Sequence, residues 1–266
     1  MKKIHPTAII NPDAQIGDDC LIGPYAVIGE EVEIAEGCVI GAGAHLEFVS
    51  LGKNCRVFPS AALGGAPQDL KYAGEKTRLI VGNNCIIREF VTLNRGTKET
   101  GQTLIGNNCL FMAYSHVAHD CIVGDNVIMA NAATLGGHVE VGEKAVLGGL
   151  VAVHQFCRIG KLAMLGGGAM VAQDIPPFTQ AQGDRARLIG LNLVGLRRAG
   201  FSSALIEEIK SAYRILFNSG LTLQEALDQL SASSPSPEVN LLLDFIRTSR
   251  RGISRPRHKD EPFDDE

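Results

Sequence analysis

From Ile4 onward an aliphatic side chain returns at every sixth residue: Ile10, Ile16, Ile22, Ile28, Ile34, Ile40 and Leu46. Four positions behind each stands a small or β-branched residue, from Ala8, Ala14 and Cys20 to Ala44 and Ser50. The register slips by one at Leu51 and carries on through Val57. It is interrupted by GGAPQDLKYAGEKT, resumes at Val81, Ile87 and Leu93, and breaks again at RGTKETGQT. From Ile105 it runs without a gap through Phe111, Val117, Val123 and onward to Val171. A helix would repeat every 3.6 residues and a half-buried strand every two, so a sustained period of six fits neither. It fits a β-solenoid of hexapeptide repeats, in which each aliphatic residue points inward from a short strand and the small one packs beside it.

Three hexads make one triangular coil of 18 residues, and stacked coils bury a column of aliphatic side chains. Glycine after the aliphatic residue (Gly17, Gly23, Gly106, Gly124) suits a tight turn or a close approach of backbones. Beyond Pro177 the hexads stop and helical spacing takes over. Residues 190–199 predict a short helix. Ser202 or Ser203 caps a longer one, with Gly220 as its stop, Thr222 starts a third, and NLLLDFIRTS forms a fourth. The expected organisation is a β-solenoid over 1–187, a helical part over 188–254, and a charged tail over 255–266, RPRHKDEPFDDE, that is expected to be disordered.

Composition agrees with a core that needs few rings. The chain has 266 residues, no Trp, and only 5% aromatic residues. The formal net charge of −4 carries no basic block of the kind that binds nucleic acid. The N-terminus shows no apolar run of signal-peptide length, and no stretch approaches the roughly 20 apolar residues of a membrane span. A cytoplasmic protein is expected. All seven cysteines occupy the small inward position, where a free thiol behaves as a small hydrophobe. No CxxC pair suggests a zinc site, and disulfides are not expected in that compartment.

The repeat also places the chemistry. The turns AHD (118–120), GGH (136–138), HQF (154–156) and AQD (172–174) follow hexads one coil apart, so they stack. His119, His138, His154, Gln155, Gln173 and Asp174 therefore share one edge of the prism, and His116 enters it from the preceding hexad. Polar residues at exposed turns explain any one of these histidines. Four on one edge, interleaved with Asp and Gln, point to a site. A metal needs three ligands converging on a point, whereas stacking spreads the rings along a line unless a neighbouring subunit supplies one. Acid–base chemistry needs a histidine with a partner for its other nitrogen, and His119 beside Asp120 fits. No serine sits in a nucleophile elbow, which removes the hydrolytic triad.

The motifs PQDLKYAGEKTRLIVGNNCIIRE, VTLNRGT, HVAHDCIVG, GGHVEVG, AVHQFCRIG, VAQDIPPF and NLVGLRRAGF, in this order across nearly the whole chain, resemble the acyl-ACP–UDP-N-acetylglucosamine O-acyltransferases. These catalyse the first step of lipid A biosynthesis. The resemblance implies a left-handed parallel β-helix, against the usual right-handed crossover, with a C-terminal helical domain, assembled as a homotrimer with sites between subunits. It implies His119 as general base toward the sugar 3-hydroxyl, Asp120 as its support, and the Gly137 N–H as oxyanion donor. His116, His138, His154 and Gln155 match residues that line the site or bind substrates. Asp69 and Lys71 match sugar-nucleotide contacts, and Asn192 and Arg198 match nucleotide and phosphate contacts. Gly167 matches a position tied to acyl-chain length, and glycine there implies a longer 3-hydroxyacyl chain. The donor is acyl carrier protein with its phosphopantetheine arm, the acceptor is UDP-N-acetylglucosamine, and neither cofactor nor metal is expected. The chain departs from the pattern at Val194 and Ala199, where the family carries an acidic residue and a second arginine, and at Arg185. Other readings on the same fold are a sugar N-acyltransferase, a zinc hydratase of the carbonic anhydrase kind, and a non-catalytic scaffold.

Overall fold

The computed structural model describes residues 1–256, and within them the hexads become two-residue strands wound into a prism. Lys3 pairs in parallel with Leu21, and Leu21 with Val39, which sets the coil at 18 residues. The strands form three parallel faces of 11, 9 and 8 strands, the first of which ends in an antiparallel pair. The winding is that of a left-handed β-helix. Where the repeat breaks, the coil simply loops out. Arg56 pairs with Ile86 and Ile86 with Leu110, so the segments 66–77 and 95–101 leave the prism while the register resumes beyond them.

The core is the aliphatic column. Ile28, Ile40, Leu46, Leu63, Ile87, Leu93, Met129, Leu135 and Leu147 are fully buried, with Phe111 the one large ring in the stack. The first coil is open to solvent at its end, so Ile4 is exposed and Ile10 and Ile16 are half-buried. All seven cysteines are free and buried. Each of Cys38, Cys55, Cys85 and Cys109 donates its thiol to a glycine carbonyl of the next coil, at 3.0, 3.1, 3.2 and 3.2 Å. Burial pushes the Cys121 thiol up to about 12. These thiols fill space and satisfy carbonyls, as their inward register predicts.

Glycine after the aliphatic residue serves close approach rather than turn conformation. A Cβ on Gly17 would lie 2.7 Å from the Ala35 carbonyl carbon. The left-handed corner falls mostly to other residues, six apart along the chain: Asp120, Asn126, Ala132, His138, Lys144, Leu150 and Phe156 all have φ between 58° and 65°. Each coil makes this excursion at the same place, so the corners stack.

The helical part holds α1 (Leu193–Arg198), α2 (Ser203–Asn218), α3 (Leu223–Ala232) and α4 (Pro237–Arg247). Ser202 caps α2, Thr222 caps α3 in a reciprocal box with Glu225, and Ser236 caps α4 ahead of Pro237. The expected boundary at 187/188 differs from the structure. Arg187–Leu191 is a strand, antiparallel to Thr179–Gln182, so the first helix begins later than residue 190. The start of the charged tail also differs: the Arg255 carbonyl accepts from Leu188 N–H at 3.1 Å, and Leu188 bridges Pro256. The rest of that tail, 257–266, lies outside the described residues.

Candidate active site

One edge of the prism follows the nine-stranded face, whose strands His116–Val117, Thr134–Leu135 and Ala152–Val153 lie in register. The corners after them are tied by backbone hydrogen bonds, His138 N–H to His119 O and Phe156 N–H to Gly137 O, both 3.0 Å. Stacked strands are spaced at about 4.8 Å, so side chains from successive corners touch. The His119 and His138 rings meet edge to face with centroids 5.3 Å apart, and Phe156 stacks on His138 at 4.5 Å.

Asp120 is the hub. Its side chain has no solvent exposure. His119 Nδ1 stands 2.7 Å from Asp120 Oδ2. Burial works to raise the Asp120 carboxyl, but hydrogen bonds from Thr100, His119 and Thr97 together outweigh it and hold the group below its ordinary value. An ionised carboxylate only accepts, so Nδ1 carries the proton and Nε2 of the neutral ring keeps its lone pair. Nε2 faces Gly137: a Cβ there would lie 2.6 Å from His119 Cε1 and 2.7 Å from Nε2. Glycine is thus required by the imidazole that covers it. The Gly137 N–H has no hydrogen-bond partner among the described residues. His116, half-buried, shares a 2.7 Å hydrogen bond with Thr92, and burial, reinforced by nearby His119, pushes its ring below the ordinary histidine value.

The rings do not merely spread along a line, as simple stacking suggests. His119, Asp120 and His138 each place one donor atom within 4.8 Å of the others, a spacing that suits three metal ligands. Their chemistry points elsewhere. His119 offers Nδ1 only by giving up its bond to Asp120, and both carboxylate oxygens already accept from threonines. His138 Nε2 lies 3.5 Å from Asp120 Oδ2 and equally far from Glu99. Within the trio His119 and Asp120 share a hydrogen bond, and His138 stands beside the carboxylate.

The remaining expected residues divide. His154 and Gln155 are exposed at the next corner, and Arg251 reaches His154 Nδ1 at 3.2 Å. Gln173 and Asp174 continue the edge in sequence, but Asp174 is turned inward, holding Arg158 and Ser249, and serves the junction with the helices. Asp69 and Lys71 lie on the 66–77 loop, where Asp69 caps the Lys71 N–H at 3.0 Å, and no hydrogen bond or ion pair among the described residues joins them to the histidines. Gly167 belongs to a different edge, after the 11-stranded face. Asn192 is the N-cap of α1: its amide oxygen accepts from Gly195 N–H and its amide nitrogen donates to Leu162 O, both at 2.9 Å. One amide hydrogen and one lone pair are left for a ligand. Arg198 is exposed at the end of α1. Thr97, Thr100, Thr103, Glu99, Phe156 and Arg251 were not singled out by sequence. The cluster of threonines within RGTKETGQT was the available signal.

Known proteins resemble this chain along nearly its whole length. A family model described as UDP-N-acetylglucosamine O-acyltransferase, domain 2, matches residues 174–254, and one for bacterial transferase hexapeptides matches 3–30, 13–47 and 102–137. An acyl-[acyl-carrier-protein]–UDP-N-acetylglucosamine O-acyltransferase of Thermodesulfovibrio yellowstonii is 50% identical over 96% of this chain and all of its own length. The protein so named in Campylobacter concisus is 45% identical over 98% of this chain and all of its own. The crystal structure of a UDP-N-acetylglucosamine acyltransferase from Bacteroides fragilis superposes with a TM-score of 0.93 at 42% identity, covering 95% of this chain and 100% of the other. One from Campylobacter jejuni gives 0.92 at 42%, covering 96% and 100%.

Proposed function

The chain belongs to the acyl-ACP–UDP-N-acetylglucosamine O-acyltransferase family, and from that premise we propose how its own residues carry the reaction. It is an acyltransferase, and it moves an acyl chain from acyl carrier protein to UDP-N-acetylglucosamine in the first step of lipid A biosynthesis. His119 is the general base. Its Nε2 takes the proton of the sugar 3-hydroxyl as that oxygen attacks the thioester carbonyl of a 3-hydroxyacyl chain. The oxyanion of the tetrahedral intermediate accepts from the free Gly137 N–H. Collapse breaks the carbon–sulfur bond, and the departing phosphopantetheine thiolate takes the proton back from the imidazolium. Asp120 stabilises that imidazolium through Nδ1–H. The observation that carries this reading is the 2.7 Å bond from His119 Nδ1 to a buried, ionised carboxylate, which leaves Nε2 as an acceptor over a glycine.

The substrates lie across more than one protomer in this reading. Gly167 is on a different edge from the histidines within a single chain, while the loop of Asp69 and Lys71 leaves the histidine edge itself after Ala62–Gly65, and His116, His138, His154 and Gln155 line that edge. A homotrimer joins them. An exposed apolar ridge on the edge after the 11-stranded face, with Phe90 stacked on Tyr114 at 5.0 Å and Leu150 beyond, supports such packing. Arg198 and the free valences of Asn192 serve the nucleotide. No cofactor or metal takes part, and the enzyme works in the cytoplasm. No helix among the described residues is long and apolar enough to cross a membrane.

His119→Ala tests the base. Turnover should fall by about 10² to 10⁴-fold, about 3–5 kcal/mol of barrier, with the sedimentation coefficient of the assembly unchanged. A loss under about tenfold would remove His119 from that role.

A further inference from the structure

The segment that breaks the hexads after Asn94 folds back over the carboxylate that serves His119. Thr97 donates its backbone N–H to Asp120 Oδ1 at 2.9 Å and its hydroxyl to Oδ2 at 2.8 Å. The Thr100 hydroxyl also donates to Oδ1. From the coil beneath, Thr103 Oγ1 accepts the Asp120 backbone N–H at 2.9 Å. Thr97 and Thr103 are buried, at 5% and 0% exposure.

A carboxylate offers four in-plane lone pairs. Here Oδ1 takes Thr97 N–H and the Thr100 O–H, whose one hydrogen is shared with the Gln102 carbonyl at 2.8 Å, and Oδ2 takes Thr97 O–H and His119 Nδ1–H. All four sites are filled, and three of them by the looped-out segment. An uninterrupted hexad has nothing above its corner to supply these donors. We propose that Thr97 is a positioning residue for acyl transfer: its hydroxyl, aided by Thr100, clamps the Asp120 carboxylate so that Oδ2 stays on His119 Nδ1 and the ring keeps Nε2 free. This rests on His119 being the base.

The clamp also sets the charge that the imidazole meets. Two neutral hydroxyl donors disperse the negative charge of Asp120. Without Thr97 the charge on Oδ2 is less dispersed, and it favours the imidazolium at His119. The other titratable groups facing this point are His138, with Nε2 3.5 Å from Oδ2, Glu99 equally far from His138, and His116 below. With the hydroxyl gone, Oδ2 is open to His138, which competes with His119 for it.

The test compares Thr97→Val, Thr97→Ser, Thr100→Val and His119→Ala as purified full-length enzyme, with acyl carrier protein thioester and UDP-N-acetylglucosamine, between roughly pH 5.5 and 9. Valine keeps the branched shape and removes only the hydroxyl. Thr97→Val should lose about tenfold or more in kcat, as expected for a hydrogen bond to a charged group, while KM for the sugar nucleotide stays within about twofold. Its acidic limb should move to higher pH. Thr97→Ser should recover to within about threefold of wild type, and Thr100→Val should lose about threefold. A loop anchor without a role in the base predicts a different pattern: lower thermal stability, kcat and KM changing together, and an unmoved pH limb. That pattern, or wild-type kcat in Thr97→Val beside an inactive His119→Ala, overturns the clamp and leaves the base in place. An active His119→Ala overturns both. If Thr97→Val does not fold, Thr100→Val decides, since Thr100 is exposed; unchanged kcat and pH limb there reject the proposal.

Discussion

The chemistry of single residues here is set by what they exclude. Gly137 is glycine because the His119 ring occupies the place of a Cβ, 2.6 Å from Cε1. Its backbone lies outside the left-handed region, so alanine introduces crowding and little strain of its own. Gly137→Ala should therefore fold and assemble normally, yet push the imidazole off its bond to Asp120. We expect kcat to fall about 100-fold, or about 2.7 kcal/mol of barrier, and a melting temperature close to wild type. Normal turnover would mean that the ring has another resting place. The pairing of His119 with Asp120 was legible in sequence because the two are neighbours. The threonines that hold Asp120 were not, since Thr97 and Thr100 reach it from 23 and 20 residues away, out of an irregular segment whose path no periodicity predicts.

Among elements, the solenoid reaches the helices through Arg158 and its buried partner Asp174. Arg158 donates to Asp174 through its backbone N–H at 2.8 Å and Nε at 3.1 Å, to Thr248 Oγ1 at 3.0 Å and to Phe245 O at 2.7 Å. Its guanidinium lies 4.3 Å from the Phe245 ring centroid. Asp174 is almost fully buried and also receives Ser249. Arg158→Met keeps the stem and strands the carboxylate, which costs about 3–5 kcal/mol for a broken buried pair. Hydrogen exchange should quicken first in 237–254, well before the hexads, and a uniform change across the chain would show that the junction does not govern the helices. Asp174 had been grouped with the site edge because its turn stacks there. Its side chain points inward instead, because the coil ends beneath the helices and that junction presents an arginine. Helix starts were readable to within a few residues, since Ser202, Thr222 and Ser236 each cap locally. The strand at Arg187–Leu191 was not, as its partner Thr179–Gln182 follows the end of the repeat.

For the whole molecule, the proposed trimer would make acyl-chain choice a property of edges brought together between copies. A Cβ on Gly167 would meet only the Gly149 carbonyl, at 3.3 Å, so a longer side chain there runs outward from the prism. In the proposed trimer, Gly167→Met shortens the acyl groove, and competition among carrier-protein thioesters of graded length, read by mass spectrometry, should shift the preference by several carbons toward shorter chains. An unchanged preference would take Gly167 out of the ruler role. The sequence by itself determined the prism, its 18-residue coil, its aliphatic column with inward thiols, and the edge where the histidines gather. A strict period of six leaves each residue one inward or outward choice, and stacking follows from the count. Only the tertiary structure decided which of those polar groups share a proton and which serve the scaffold. Hydrogen bonds of about 3 Å depend on side-chain direction and on segments that leave the repeat, and neither is written in a period.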